Sequence, residues 1–297
     1  MVNLSTAGNR IVRTDTGAPV LLRGVNRSGL EYSVDAGITA DEIAHIVEAW
    51  GANIIRLPFN QEWALTRPDY LATLDFCIET AAARNAYTLL VLHWLDATTV
   101  RGHHEDGRRN FVPPLPNADS VEAWRQLARR YREQPAVLYD IFNEPHDPFP
   151  DDPLLSEPVT MSHWQPWARR LVDAVRSENP AALIFVPGVH WGYSLEGFPL
   201  TGVSGIVYST HVYPGKVPEW DRAFGSLAAT HPVFAGEWGG ADQDVPWGRA
   251  LAGYFRQLGM GWTAWSWKDS PHLVQKPAAP PYPPTPFGQL VRENLRW

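Results

Sequence analysis

The 297-residue chain contains one cysteine, no long basic segment and no apolar segment as long as a membrane span. Because Cys77 has no partner, an intrachain disulfide is excluded. The net charge of −7 at pH 7 argues against nucleic acid or a membrane as the partner. The chain begins Met-Val-Asn-Leu-Ser, without the basic and apolar regions that mark a secretory signal peptide.

The composition, 44% hydrophobic and 19% charged, is typical of a globular protein with a large core. Its unusual feature is the presence of 14 tryptophans. Tryptophan builds cores, and it also stacks on flat apolar faces such as those of sugar rings. The length suits either one (β/α)8 barrel or two ordinary domains.

Apolar segments of strand length alternate with segments in which apolar residues recur at helical spacing. The predicted strands lie at 24–26, 53–59, 87–94, 139–146, 183–189, 206–213, 232–239 and 262–267. The predicted helices lie at 39–50, 70–85, 121–131, 164–175, 247–258 and 287–291. This alternation predicts a single (β/α)8 barrel domain over residues 1–297, rather than a doubly wound sheet.

Three segments depart from the regular alternation. Residues 1–19 are predicted to pack on the barrel as an N-terminal hairpin, with strand-like segments around 10–13 and 20–22. The segment 190–205 has too many glycines and prolines for a good fifth helix. The proline-rich segment 276–286 is interpreted as a stiff loop before the final helix.

The fourth predicted strand ends abruptly in an amide, a carboxylic acid and a proline, at Asn143, Glu144 and Pro145. The C-terminal ends of parallel strands are where barrel enzymes build their active sites. Turn chemistry is the alternative, since Asn and Pro both favour turns. Adjacent strand residues point to opposite faces, so Asn143 and Glu144 share a site only if the strand bulges or ends there.

Polar or aromatic side chains line up at the C-terminal ends of the predicted strands, and the full set is Arg56, His93, Asn143, Glu144, His211, Tyr213, Glu237 and Trp267. A lone His or Arg can simply satisfy loop carbonyls, but all of these residues fall on one face. Two acids across a barrel mouth suit glycoside hydrolysis, in which one protonates the leaving oxygen and the other is ionised. Their pKa values must be held apart, and Arg56 with Tyr213 could hold one of the two ionised. The Asn143 amide could bind a sugar 2-hydroxyl.

These residues resemble glycoside hydrolase family 5, in the retaining barrel glycosidases of clan A, and especially its bacterial endoglucanases. The resemblance rests on Ile141 to His146, on Arg56, His93 and His211 to Tyr213, and on Gly236 to Gly239, and it extends from Arg23 to Trp267. It implies that Glu144 is the acid/base and Glu237 the nucleophile. It also implies a covalent glycosyl-enzyme and carboxyl groups about 5–5.5 Å apart. Trp238 departs from the Phe of many family cellulases.

The resemblance leads us to expect an endo-β-1,4-glucanase, with mannan, xyloglucan or mixed-linkage glucan as alternative substrates. The partner is then a polysaccharide or oligosaccharide, and neither a cofactor nor a metal is needed. We expect a monomer, secreted because its substrate is a polymer. The alternative of another class, a non-catalytic carbohydrate-binding barrel, is disfavoured because both carboxylates are present with their neighbours.

Tryptophans at or beyond strand ends could act as sugar platforms, that is, as flat surfaces on which a sugar ring stacks. They are Trp63, Trp94, Trp191, Trp220 and Trp267. The family places a stacking tryptophan at the end of strand eight, so Trp267 is preferred, with Trp265 as the fallback and Trp191 next.

A separate cluster, His103 to Asp106, contains residue types that bind metal ions. The chain has no second group of such residues at the spacing of a metal site, so we interpret the cluster as a solvated loop. A metal-dependent hydrolase using His93 with this cluster is the remaining alternative. Full activity in excess EDTA would exclude it.

Overall fold

A computed structural model describes residues 1–96, 112–148, 158–217 and 219–296. In this part of the chain there are ten strands: β1 Leu4–Ala7, β2 Arg10–Arg13, β3 Arg23–Asn26, β4 Ile54–Asn60, β5 Tyr87–Trp94, β6 Val137–Asp140, β7 Ile184–Pro187, β8 Ile206–Val212, β9 Val233–Trp238 and β10 Gly261–Ala264. The last eight close a parallel barrel in the order β10-β3-β4-β5-β6-β7-β8-β9. The predicted (β/α)8 architecture is therefore confirmed.

The N-terminal hairpin is present, but its strands differ from those predicted. Strand β1 pairs antiparallel with β2, Leu4 opposite Arg13, and residues 20–22 form no strand. Leu4 and Ile11 are buried in one hydrophobic cluster with Phe185 and Phe234 of the barrel strands. The hairpin residues thus contribute to a hydrophobic cluster at the N-terminal ends of the barrel strands.

Helices cover the outside of the barrel. Their bounds are Ala40–Ala44, continuing as a π-helix over His45–Ala49, then Gln61–Thr66, Pro68–Ala82, Ala118–Arg130, Met161–Glu178, a π-helix Asp221–Gly225 leading into Ser226–Ala228, a 3-10 turn Asp242–Asp244 leading into Val245–Leu258, and Pro286–Leu295. Indole groups tie two of them to strand ends, since Trp124 Nε1 donates to Ile141 O and Trp164 Nε1 to Pro187 O, both at 2.8 Å.

Thr39 and Glu42 lie at the start of the first helix but have different partners. The Thr39 hydroxyl accepts from the Glu42 amide at 3.2 Å, as a cap should. The Glu42 carboxylate instead forms a buried ion pair with Arg27, with N–O distances of 2.9 Å. Glu42 therefore anchors the loop after β3 to the helix.

No helix forms between β7 and β8, all of whose connecting residues are described. The backbone there turns through left-handed conformations at His190 (φ 57°), Trp191 (φ 61°) and Gly192 (φ 69°). This confirms that the segment is a poor helix, and the turn brings Trp191 to the C-terminal ends of the strands.

Strand β6 ends at Asp140, three residues before Asn143, whose amide nitrogen donates to Leu92 O at 2.8 Å. The strand end required for Asn143 and Glu144 to share one site is therefore present.

Among the residues described, none of the helices has the length and hydropathy needed to cross a membrane.

Most of the tryptophans belong to the hydrophobic core or pack against it. Fully buried indoles are those of Trp50, Trp124, Trp164, Trp238, Trp262 and Trp267. Several meet edge to face, including Trp238 and Trp262 with ring centroids 5.2 Å apart. Such pairs add roughly 0.5–1.5 kcal/mol beyond the area that they bury.

Candidate active site

The fully buried guanidinium of Arg56, on β4, joins the ends of several strands. Its Nε donates to Asp140 Oδ2 at 2.9 Å, and Nη1 donates to Asn26 Oδ1 at 2.9 Å and to Glu237 Oε1 at 2.8 Å. Its Nη2 donates to Asn143 Oδ1 at 2.9 Å. Burial alone would lower the pKa of Arg56, but the two carboxylates outweigh it and the pKa is raised. Arg56 therefore stays cationic and positions the groups around it.

Two of these partners, Asp140 and Asn26, are not among the site residues that the sequence predicts. A carboxyl inside an apolar strand must find a cation, and Asp140 and Arg56 both interrupt apolar segments, which is a usable signal. Asn26 donates through Nδ2 to Gly236 O at 2.9 Å and to Thr263 O at 3.2 Å. It thereby links β3 to β9 and β10, and no feature of its local sequence indicates this role.

Glu237, at the end of β9, is only 4% exposed and accepts two strong hydrogen bonds. Besides Arg56, the Tyr213 hydroxyl donates to its Oε2 at 2.7 Å. Burial, and next the nearby carboxylates, raise the pKa of Tyr213 well above its usual value, so this phenol remains a donor. Both carboxylate oxygens of Glu237 therefore accept from fixed donors, one a cation and one a phenol.

Glu144 occupies a different environment. Its side chain is 19% exposed, and its Oε1 lies 2.8 Å from His211 Nδ1. Burial raises the pKa of Glu144 to about 7, and the opposing charges of Lys216 and Arg56 limit the rise. The carboxyl can therefore hold a proton near neutral pH.

His211 is fully buried on β8, and burial lowers its pKa to about 3 despite the opposing charge of Glu237. Its Nε2 lies 3.4 Å from Arg56 Nη2. Because a guanidinium only donates, Nε2 must be the acceptor nitrogen and Nδ1 must carry the proton. The neutral ring therefore donates to Glu144.

One ligand atom each from Glu144, His211 and Glu237 lie within 4.8 Å of one another, a set that resembles a metal site. A metal bound at Nδ1 of His211 would move its proton to Nε2, where it would face the guanidinium of Arg56. The arrangement is thus suited to proton transfer rather than to metal binding.

Two glycines make room for the His211 ring. A Cβ on Gly192 would lie 2.9 Å from the ring's Cγ, and a Cβ on Gly236 would lie 3.0 Å from Nε2 and 2.5 Å from Ser209 Oγ. Side chains at these positions would displace the imidazole that contacts Glu144.

A cavity of about 360 Å³ opens above these groups at the C-terminal ends of the strands. It is lined by His93, Asn143, Glu144, Trp191, Tyr213, Lys216, Glu237 and Trp265. Most of the predicted site residues are in this lining. Arg56 and His211 do not line the cavity but contact its two carboxyl groups, Glu237 and Glu144. Of the predicted site residues, only Trp267 lies elsewhere. Lys216 was also missed, since a single loop lysine carries no distinguishing signal.

The prediction for Trp267 is wrong. This residue is 0% exposed and packs in the core against Trp50, with ring centroids 4.8 Å apart, and against Tyr282 at 5.5 Å. Strand β10 ends at Ala264, and the Trp267 amide then donates to Asn26 O at 2.9 Å. Trp265, the fallback, lines the cavity instead and stacks on His93, with centroids 5.6 Å apart and planes at 20°.

Trp191 also lines the cavity and stacks on His146, with centroids 3.9 Å apart. The His146 ring in turn contacts the Glu144 carbonyl oxygen at 2.7 Å. His93 is held neutral because burial, and then Arg56, lower its pKa, and its buried Nδ1 has no hydrogen-bond partner among the described residues.

The other tryptophans considered as platforms do not line this cavity. Trp63 packs against Tyr70, with ring centroids 5.7 Å apart, and Trp220 against Tyr254 at 5.5 Å. Trp94 lies 6.1 Å from Tyr32. The cluster His103 to Asp106 lies outside the described residues.

Two unlike carboxyl groups facing each other at the strand ends of a closed parallel barrel are the arrangement that glycoside hydrolases use. The sequence model of the cellulase family, glycosyl hydrolase family 5, matches residues 14–271. The chain belongs to this family.

Curated relatives are similar over most of this chain. An endoglucanase of Paenibacillus polymyxa is 27% identical over 88% of this chain and 78% of its own length. Endoglucanase N of Pectobacterium atrosepticum is 23% identical over 90% of this chain and 57% of its own length. The major extracellular endoglucanase of Xanthomonas campestris is 27% identical over 90% of this chain and 65% of its own length. The chain thus spans about half to three quarters of these relatives.

Solved structures share the fold. A β-glucanase of Saccharophagus degradans in complex with cellotetraose superposes with a TM-score of 0.80 and 22% identity, covering 99% of this chain and 92% of that one. The catalytic domain of a Thermobifida fusca endoglucanase, also with cellotetraose, gives 0.78 and 22%, covering 99% and 97%.

Proposed function

We propose that the protein is an endo-acting β-1,4-glucanase that retains the anomeric configuration, with Glu237 as nucleophile and Glu144 as acid/base. The observation that supports this most directly is the contrast between the two carboxyl groups. Glu237 accepts from the cation Arg56 and from Tyr213, whereas Glu144 meets a neutral imidazole and has a pKa raised to about 7 by burial. An ionised attacking group and a protonated acid are the two forms that the first step requires.

In the first step the Glu237 carboxylate attacks the anomeric carbon and the glycosidic C–O bond breaks. Glu144 gives its proton to the departing oxygen, so the leaving group departs as a neutral alcohol. The sugar is then held by an ester bond to Glu237. The hydrogen bonds to Arg56 and Tyr213 position the nucleophile before attack.

In the second step water attacks the same carbon. Glu144, now a carboxylate, takes a proton from the water, and the ester bond to Glu237 breaks with its electron pair returning to the carboxylate. Carboxyl oxygens of the two residues lie within 4.8 Å of each other, which supports the short separation of retaining enzymes over the ~6.5–9.5 Å of inverting ones.

Substrate contacts follow from the cavity lining. Because Asn143 Oδ1 accepts from Arg56, its NH2 group is the part that donates to a sugar 2-hydroxyl. Trp265 and Trp191 are the sugar platforms, since both are partly exposed aromatic walls of the cavity. His93 supports Trp265 by stacking.

The substrate class rests on the relatives, which are named endoglucanases, and on the cellotetraose bound by two proteins of the same fold. A panel of carboxymethyl-cellulose, mixed-linkage glucan, xyloglucan and mannan tests it. We expect a fast fall in the viscosity of carboxymethyl-cellulose with few new reducing ends, which is the mark of endo cleavage. Hydrolysis of mannan alone would overturn the substrate. Binding without hydrolysis of any glycan would favour the non-catalytic barrel.

We also propose that the protein acts outside the cell as a monomer. The Xanthomonas relative is named extracellular, and a polymeric substrate cannot enter a cell. Light scattering coupled to gel filtration should give a mass near 33.3 kDa. A mass of twice that value would contradict the monomer.

A further inference from the structure

Lys216 brings a positive charge to the cleft that the mechanism above does not use. It follows β8 on the loop after Tyr213, and its partly buried side chain forms part of the cavity wall with Glu144 and Glu237. Its Nζ donates to the His190 carbonyl at 3.4 Å and lies 6.0 Å from the centroid of the Tyr193 ring.

The loop that holds this ammonium is itself tied to the loop of Glu144. His190 and Trp191 are both in the left-handed region, with φ of 57° and 61°. The Trp191 amide donates to Pro145 O at 3.0 Å, and His190 Nδ1 lies 3.5 Å from Asp147 Oδ2. These contacts tie the loop of His190, whose carbonyl accepts from Lys216, to the loop that carries Glu144.

The charged and titratable groups around Glu144 come from five places: Arg56 on β4, His93 on β5, His146 on its own loop, Glu237 on β9, and His211, Tyr213 and Lys216 on and after β8. Arg56 is paired with Asp140 and Glu237. Burial lowers the pKa of each histidine, so all three are neutral near pH 7. Among the described residues, Lys216 is therefore the cation of the cleft that is not committed to another carboxylate.

We propose that Lys216 is a positioning residue whose charge sets the alkaline limit of Glu144 as an acid and helps it to act as a base in the second step. This rests on the proposed function. A nearby cation favours the carboxylate form, so Lys216 opposes the effect of burial on Glu144. Burial likewise lowers the pKa of Lys216, and the two carboxylates of the cleft oppose that shift.

The test compares Lys216→Met and Lys216→Gln with Lys216→Arg, which keeps the charge. Lys276→Met is the matched control, since Lys276 is exposed and its loss changes the net charge equally. The readout is the pH profile of kcat/KM on a cello-oligosaccharide. We expect the alkaline limb of K216M and K216Q to move up by roughly 0.5–1 pH unit. The alkaline limbs of K216R and K276M should coincide with that of the unsubstituted protein.

A second readout does not depend on activity. In protein labelled with ¹³C at the glutamate carboxyl carbons, the Glu144 signal is assigned by its absence in Glu144→Gln, and its titration should move upward in K216M. The proposal would be overturned if the alkaline limbs of kcat/KM and the titrations of the Glu144 signal were the same in all variants. If the parent hydrolyses no β-1,4-glucan, the proposed function fails, while the titration still decides the role of Lys216.

Discussion

The Tyr213 hydroxyl lies 2.7 Å from the Glu237 carboxylate and donates to Oε2, while Oε1 is taken by Arg56. The two donors leave the carboxylate no freedom to rotate without losing a charge-assisted hydrogen bond. Attack on a sugar carbon requires this fixed orientation. The relationship between Tyr213 and Glu237 therefore has direct kinetic consequences.

Replacing Tyr213 by Phe removes the hydroxyl and leaves the ring. A hydrogen bond to a charged group contributes about 1.5–3 kcal/mol, so we expect kcat/KM to fall roughly 10- to 100-fold. The thermal midpoint should change little, because the ring remains. Unchanged kcat/KM on a cello-oligosaccharide would show that the bond does not act in the reaction.

The acid role of Glu144 predicts an alkaline limb in the pH profile. The free enzyme must carry a proton on Glu144, whose pKa burial raises to about 7. Activity should therefore fall as the pH rises through about 7, and the measurement is kcat/KM against pH on an unactivated oligosaccharide. A plateau extending to pH 9 would contradict this assignment.

Glu144→Ala provides an independent test of the same role. Loss of general acid catalysis costs about 10²- to 10⁴-fold on a substrate with a poor leaving group. A dinitrophenyl cellobioside needs no proton on its leaving group, so the first step should survive in the variant. Added azide should then accelerate turnover and yield a β-glycosyl azide. Equal losses on both substrates would instead indicate a structural role.

Trp265 and Trp267 form a matched pair for separating binding from packing. Trp265→Ala should raise KM for cello-oligosaccharides with little effect on unfolding, because its ring lines the cavity. Trp267→Ala should lower the free energy of unfolding by about 3–5 kcal/mol, because its indole is fully buried. Denaturant unfolding and steady-state kinetics on both variants measure the two effects. The reverse pattern would restore Trp267 as the platform.

The barrel and most of its site could be predicted from the sequence because parallel strands leave a clear pattern. An apolar segment such as 54–59 ends at a defined edge, and polar residues beyond it share the face where strand ends meet. On this basis the sequence predicts that Glu144 and Glu237 lie together. Their different surroundings depend on Arg56 and His211, which come from other strands.

What could not be predicted depends on how the chain turns after a strand. Trp265 and Trp267 are two residues apart and would share a face if β10 continued, but it ends at Ala264 and the two indoles separate. Asn26 and Lys216 act through contacts distant in sequence, with Gly236 and His190. Local pattern carries no information about such contacts.

The most direct test of the account is labelling with a 2-deoxy-2-fluoro cellobioside that carries a good leaving group. The fluorine slows both steps of the reaction. The good leaving group restores the rate of the first step, so the covalent intermediate accumulates. Mass spectrometry of the digested protein should find one fluorosugar, attached to Glu237, and Glu237→Gln should remain unlabelled. A label on Glu144, or inversion of the anomeric configuration without any label, would contradict the account.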